Sequence, residues 1–186
     1  MAKARKTDAL QSVLDFLTTT AKDPLNVAGY GAGKRHVQVA RLDAYPSTGL
    51  TTFVTVGASV SPVTMYRGLE VGFELTLTLA RPDPDAADDL AKAALENLRV
   101  ADSGQRRPFI EYNGIYAPGY PPHLLFTEQV TCTPKLSGRK RCGDRWVSFL
   151  AAVPLGDDEL REYDRSVPTL IARLKADGRL HKYPRR

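Results

Sequence analysis

The sequence is poor in the residues that mark secreted and zinc-binding proteins. Its 186 residues include two cysteines, Cys132 and Cys142. A structural zinc site needs four ligands at paired spacing, which two cysteines separated by nine residues cannot supply. A hairpin between them would bring them close enough to pair, but in a reducing cytoplasm we expect free thiols.

Long apolar runs are also missing. None approaches the roughly 20 residues that a membrane-spanning helix needs. Asp8, Gln11 and Asp15 interrupt the N-terminal segment, where a secretory signal would need an unbroken apolar core. These absences predict a cytoplasmic protein with no membrane partner.

The net charge of +5 is concentrated at the two ends of the chain. Residues 1–6 hold three lysines or arginines, residues 179–186 hold four, and neither segment contains an acidic residue. Without these seven positive charges, residues 7–178 carry a net charge of −2. We interpret the ends as mobile, solvated tails, with weak binding to polyanions as the alternative.

What is present is an ordinary globular composition, with 42% hydrophobic and 25% charged residues. Hydrophobic periodicity predicts three helices and several strands. The first predicted helix begins at Asp8, which forms a capping box with Gln11, and ends at the threonines 18–20. The other two predicted helices cover residues 85–98 and 166–176. The predicted strands are 36–42, 51–56, 69–79, 124–133 and 146–153.

The strand 69–79 has the clearest alternation in the chain. Its odd-numbered residues, from Leu69 to Leu79, are apolar, whereas Glu74, Thr76 and Thr78 point the other way. This pattern predicts one buried and one wetter face. The segment 146–153 is apolar on both faces and is expected in the middle of the sheet. We therefore predict one α+β domain over 1–186, with short basic tails at 1–6 and 179–186. Its sheet is mostly antiparallel or mixed and is flanked by about three helices.

Two motifs suggest an active site but lack its context. Residues 28–34 end in Gly33-Lys34, yet a phosphate-binding loop needs Ser or Thr where Arg35 stands, and a helix rather than a strand after it. Ser59 follows a strand as a nucleophile elbow would, but Ser61 replaces the required glycine. We interpret the first as a flexible loop and the second as a turn between strands.

The aspartate pairs 88–89 and 157–158 fall near helix starts, where they complement the helix dipole. They do not indicate a metal site. We accordingly predict no enzyme, no cofactor, no metal and no catalytic residue.

The stretch 109–145 interleaves aromatic and basic residues around a charged hairpin tip predicted at 137–141. Such residues are enriched at protein interfaces, and they also bind single-stranded nucleic acid; a loop that simply covers the core is the third interpretation. The candidate partner-binding residues are Tyr112, Tyr116, Tyr120, Arg139, Lys140 and Arg141.

Five segments, taken in order, resemble the suppressor-of-fused domain family. They are TTFVTVGASVSPVTM (51–65), GLEVGFELTLTLARP (68–82), IYAPGYPPHLLF (115–126), WVSFLAAVPLGDDELREY (146–163) and LIARLKADG (170–178). The Thr-x-Gly turn at 55–57, the Glu-Leu strand at 74–75, the Pro-Asp step at 82–83 and the Val-Pro-Leu step at 153–155 are similar to the family's. The likeness covers about residues 36–178.

This resemblance implies an α+β scaffold that binds other proteins without catalysis, by accepting a partner peptide as an added strand. Single-domain bacterial members look like immunity proteins that neutralise a toxin, and this chain resembles such a member. We therefore expect a protein partner, with a toxin as the specific hypothesis. The alternative is a nucleic-acid-binding accessory protein that uses the basic tails and the 135–145 hairpin.

Overall fold

The computed structural model describes residues 2–21, 25–60, 64–66, 69–102, 115–119, 121–128, 130, 134–163 and 166–183. Within these residues nine strands form one sheet, accompanied by four α-helices. The strands are β1 Asn26–Ala32, β2 Arg35–Asp43, β3 Thr51–Val56, β4 Thr64–Tyr66, β5 Leu69–Leu79, β6 Ile115–Tyr116, β7 His123–Thr127, β8 Gly138–Cys142 and β9 Arg145–Leu155. The helices are α1 Ala2–Ala21, α2 Ala86–Asp102, α3 Asp157–Arg161 and α4 Val167–Ala176.

The sheet runs in the order β1-β2-β3-β5-β9-β7-β6. Strands β5 and β9 at its centre pair in parallel, and the other pairs are antiparallel. Beside β5, β4 lies on the same side as β3; beside β9, β8 lies on the same side as β7. The predicted α+β class and mostly antiparallel, mixed sheet are confirmed, and β9 lies mid-sheet as expected.

Helices cover both faces of the sheet. On the α2 face, Leu90 and Ala94 pack against Phe53, Leu77 and Leu150. On the α1 face, α1 packs on β3 and the start of β9, and the rings of Phe16 and Phe149 stack 5.5 Å apart. Helix α4 covers the end of β9 on that same face. The two central strands are therefore buried on both sides, which explains why β9 is almost continuously apolar.

Helix α1 is longer than predicted at both ends. Its hydroxyls at Thr18 and Thr19 donate to the carbonyl oxygens of Leu14 and Asp15, each at 2.9 Å, so these threonines continue the helix to Ala21. The predicted start at Asp8 is wrong because Asp8 lies within the helix, where its carbonyl accepts a bond from the Ser12 hydroxyl. Residues 2–6 are the first turn of α1 rather than a tail.

Two expectations about strands are also wrong. The glycine-rich segment 28–34 is not a flexible loop, because it forms most of β1 and a two-residue hairpin turn in which Gly33 has a φ of +62°. Strand β7 ends at Thr127 and does not reach 133. Residues 129 and 131–133, including Cys132, lie outside the described residues.

The C-terminal segment 179–183 is bound to the domain, so its interpretation as a mobile tail is wrong. The backbone N–H of Ala80 donates to the carbonyl of His181 at 3.0 Å. Arg179 makes two bonds to Glu159, at 3.0 and 3.1 Å. The Tyr183 hydroxyl donates to the carboxylate of Asp89 at 2.5 Å. This segment therefore connects α3, β5 and α2.

The N-termini of α2 and α3 carry the acidic residues that the sequence predicts there. Asp83 accepts a bond from the backbone N–H of Asp85 just before α2, and Asp88 and Asp89 lie in its first turn. The aspartates 157 and 158 lie in the first turn of α3. Both pairs therefore stand at helix N-termini, as predicted.

Candidate functional site

The basic residues 139–141 lie on a strand and not at a hairpin tip. Strand β8 pairs with β9 through a two-residue turn at Gly143-Asp144, in which Gly143 has a φ of +62°. This register places Arg139 opposite Ser148 and Arg141 opposite Trp146. The predicted tip at 137–141 is therefore wrong, although the predicted hairpin exists.

Successive residues of β8 point to opposite faces of the sheet. Arg139 and Arg141 are exposed and share the α2 face with their cross-strand partners. Lys140 is half-buried on the α1 face, where Cys142 is buried beneath α1. Burial, and secondarily the charge of Glu74, raises the pKa of the Cys142 thiol to about 11. Cys142 is therefore an unreactive core thiol.

Trp146, the cross-strand partner of Arg141, is an exposed aromatic residue beside this basic strand. Its exposed fraction is 38%, and Val27 is the other large apolar side chain that is similarly exposed in the described part of the chain. None of the three core clusters contains Trp146. Together, Arg139, Arg141 and Trp146 form what we call the Trp–Arg patch. Its residue types are those most enriched at the energetic centres of protein interfaces.

The tyrosines of the predicted site do not join this patch. Tyr112 and Tyr120 lie outside the described residues. Tyr116 lies in β6, half-buried against the α2 core cluster. Tyr116 pairs with Leu124 of β7, which in turn pairs with Pro154 of β9. Arg139 pairs with Ser148 of β9. The intervening length of β9 is about 20 Å, so Tyr116 and the basic strand are separate features.

Trp146 was not predicted to lie at the surface, because the apolar run that follows it in the sequence predicts burial. A usable signal was the Gly143-Asp144 dipeptide, which is typical of a two-residue hairpin turn. Such a turn places residue 142 opposite 145, and therefore Arg141 opposite Trp146.

A second polar feature, the side chain of Glu74, is fully buried in the middle of the sheet. One carboxylate oxygen accepts bonds from the Gly57 N–H at 2.8 Å, the Ser59 N–H at 3.1 Å and the Ser59 hydroxyl at 2.6 Å. The other accepts from the Thr55 hydroxyl at 2.7 Å and the Ala58 N–H at 3.3 Å. Five donors thus surround one carboxylate.

This cluster corrects the prediction that the face of β5 with Glu74, Thr76 and Thr78 is the wetter one, since all three residues are buried. Burial raises the pKa of Glu74, and the hydrogen bonds, led by those from Ser59 and Thr55, oppose that rise without cancelling it. The carboxylate occupies the stretch of β5 between the residues that pair with β3 and those that pair with β4. Its role is to fix the 55–60 turn against β5.

The same cluster explains why Ser59 is not a nucleophile in an open site. The residue is 4% exposed and donates its hydroxyl hydrogen to Glu74. A residue held in this way is inaccessible to a substrate, which agrees with its interpretation as part of a turn. Gly33 and Lys34 form the β1–β2 turn and make no phosphate-binding loop. Among the described residues, no group of three or more His, Cys, Asp or Glu side chains is placed to hold a metal ion.

No helix in the described ranges is long and apolar enough to cross a membrane. No protein-family model matches the chain, and a search of curated proteins found no match.

Solved structures do resemble it. A suppressor-of-fused (SUFU) homologue from Neisseria gonorrhoeae FA 1090 aligns with a TM-score of 0.65 and 16% identity over 92% of this chain and 91% of that one. A chain of the Sufu–Fu complex aligns with a TM-score of 0.59 and 14% identity, over 90% and 84% of the two chains. Drosophila Suppressor of Fused aligns with a TM-score of 0.54 and 15% identity, over 90% of this chain and 46% of that one. This chain therefore has the fold of the suppressor-of-fused proteins.

Proposed function

We propose that the protein is a non-catalytic protein-binding domain and that the Trp–Arg patch is part of its partner surface. The observation that carries this proposal is the exposed indole of Trp146, which lies directly opposite Arg141 on a neighbouring strand. An exposed tryptophan flanked by arginines offers a large apolar contact area and directional charge in one place.

The patch stands on a rigid support. The residues of β9 that follow Trp146 are buried, including Val147 and Phe149, and β9 is paired on both sides. A side chain held on such a strand loses little conformational freedom when a partner binds, because its backbone is already fixed. The patch therefore suits a partner that buries the indole in an apolar pocket.

The two arginines indicate the charge of that partner. Arg139 and Arg141 are exposed and lie on the same face as Trp146. Guanidinium groups in this arrangement favour a surface that carries carboxylates around the apolar pocket. Nuclease toxins expose basic surfaces to nucleic acid and would be repelled. Within the binding function, we therefore propose an immunity-type inhibitor whose target is a toxin with an acidic surface.

The fold supports binding as the mode of action, since one structural neighbour is a suppressor-of-fused protein in the Sufu–Fu complex. For this chain, partner binding is testable by titration. A partner is first identified by co-purification from the native host after nuclease treatment at physiological salt. Its Kd is then measured for the wild type and for Trp146→Ala, Arg141→Ala and Arg161→Ala.

We expect Trp146→Ala to weaken binding by about thirtyfold or more and Arg141→Ala by about tenfold, the range of interface hot spots. Arg161→Ala is the matched control, because Arg161 is exposed and pairs only locally with Asp158 in α3. Equal affinities for all four proteins would remove the patch from the interface. Binding that requires RNA or DNA and weakens steeply with salt would instead support the nucleic-acid alternative.

A further inference from the structure

In the part of the chain that the structure describes, the first strand of the sheet, β1, is an edge strand without the usual protection. It pairs with β2 on one side, and no strand in the described ranges pairs with the other. Natural edge strands carry charges, prolines or bulges that prevent pairing with another chain. The sequence of β1, NVAGYGA, has no charge and no proline, and its seven residues pair with β2 without a bulge. Val27 is exposed on it.

The sequence of β1 is complementary to itself when reversed. Antiparallel pairing of two copies about Gly29 is the register that uses all seven residues. In it, Val27 faces Gly31 of the copy, and Tyr30 faces Ala28. Every large side chain therefore meets a small one, and no charges are opposed across the pair.

A second copy paired with β1 would meet a contact surface on each face of the sheet. On the α1 face, the His36 ring lies across Gly31, so close that a Cβ on Gly31 would be 2.6 Å from its Nδ1 atom. Val27 of a copy would pack against this ring and lose its exposure. On the α2 face, Ala28 borders a cavity of about 340 Å³, which Phe53 and Ala87 also line. Tyr30 of a copy would lie at the mouth of that cavity.

We propose that the protein forms a two-fold symmetric dimer by antiparallel pairing of β1 with β1 of a second copy, with Gly29 on the axis. The neutrality and self-complementarity of the strand single out a second copy as its partner. The dimer would be a continuous sheet with isologous contacts. Strand β1 and the Trp–Arg patch lie towards opposite ends of the sheet, so each dimer would present two patches.

The test is the mass of the protein in solution, measured by analytical ultracentrifugation over a range of concentrations for the wild type, Gly29→Lys and Gly29→Thr. A Cβ on Gly29 would meet no atom within 4 Å, so both substitutions fit the monomer. In the dimer, Gly29→Lys places two positive charges directly opposite each other. We expect its dimer dissociation constant to rise by about fivefold or more, whereas Gly29→Thr keeps the dimer.

The register is tested by Gly29→Cys in a Cys132→Ser background. The two introduced thiols would face each other on the axis and give a covalent dimer under mild oxidation, while the buried Cys142 thiol stays unreactive. A wild-type protein that is monomeric at every concentration overturns the proposal. In that case β1 pairs with a strand of another protein or with no strand at all. A dimer that is insensitive to Gly29→Lys and yields no cross-link also overturns it.

Discussion

The two faces of β5 are equally buried but are stabilised by different interactions. On the α2 face, Leu75, Leu77 and Leu79 pack into a hydrocarbon core. On the α1 face, Glu74 lies among five donors, and the hydroxyls of Thr52 and Thr78 are hydrogen-bonded at 2.8 Å. The alternation of apolar and polar residues along β5 therefore separates a face with apolar contacts from a face with polar contacts. It does not separate buried residues from exposed ones.

The difference predicts how each face tolerates change. Apolar packing is non-directional, so the loss of one leucine costs its transfer free energy and the cavity that remains. A buried polar cluster depends on each partner, because every donor left unsatisfied adds its own desolvation cost. We therefore expect the polar face of β5 to be the more sensitive one.

The largest effect is expected for Glu74→Ala, which removes the acceptor of three backbone N–H groups and two hydroxyls. The free energy of unfolding should fall by about 5 kcal/mol or more, compared with about 3 kcal/mol for Leu77→Ala on the opposite face. Urea denaturation of the two variants measures both values. A smaller loss for Glu74→Ala than for Leu77→Ala would contradict the comparison.

A smaller effect is expected for Gly72→Ala, which tests how closely the 55–60 turn approaches β5. A Cβ on Gly72 would lie 2.4 Å from the carbonyl oxygen of Ser59, so the turn must move away. We expect a loss of about 2 to 3 kcal/mol in the free energy of unfolding. Gly29→Ala is the matched control, since its Cβ meets no atom within 4 Å. Equal stabilities of the two variants would show that the turn is loosely held.

The smallest effect is a dependence of stability on pH. Because burial raises the pKa of Glu74 above its ordinary value of 4.5, the folded protein binds more protons than the unfolded chain just above that pH. The contribution of Glu74 to stability is therefore greatest below pH 4.5 and declines as the pH rises through the folded pKa. The difference in the free energy of unfolding between the wild type and Glu74→Gln should decline in that direction. A difference that grows with pH would show that the hydrogen bonds outweigh burial.

Local patterns in the sequence were sufficient for much of the fold. The predicted limits of β3 and β5 agree with the structure, because the turn before β3 and the alternation along β5 are local signals. Strand β1 was missed because its glycines resemble a loop, and only its pairing with β2 makes it a strand. The environment of Glu74 depends on the 55–60 turn, whose hydrogen-bond donors lie 15 to 19 residues away in sequence. The Thr-x-Gly and Glu-Leu motifs were read as separate features, but in the structure they form one cluster.

The candidate site was predictable only in part. The basic residues 139–141 are conspicuous in the sequence, and the hairpin that carries them follows from the Gly-Asp dipeptide. Trp146 is exposed because the core beneath α2 does not extend as far as this residue. The sequence does not indicate where on the sheet that core ends. The partner-binding roles of Arg139, Lys140, Arg141 and Tyr116 stay predictions, and Tyr112 and Tyr120 lie outside the described residues.

The parallel pairing of β5 with β9 also constrains how the protein is made. On one side, residues 71–76 pair with residues 146–151, so the centre of the sheet cannot form until β9 has been synthesised. Until then, that side of β5 remains open to pairing with other chains. Contacts this distant in sequence also slow folding. We infer that nascent chains released before β9 would be the aggregation-prone form of this protein.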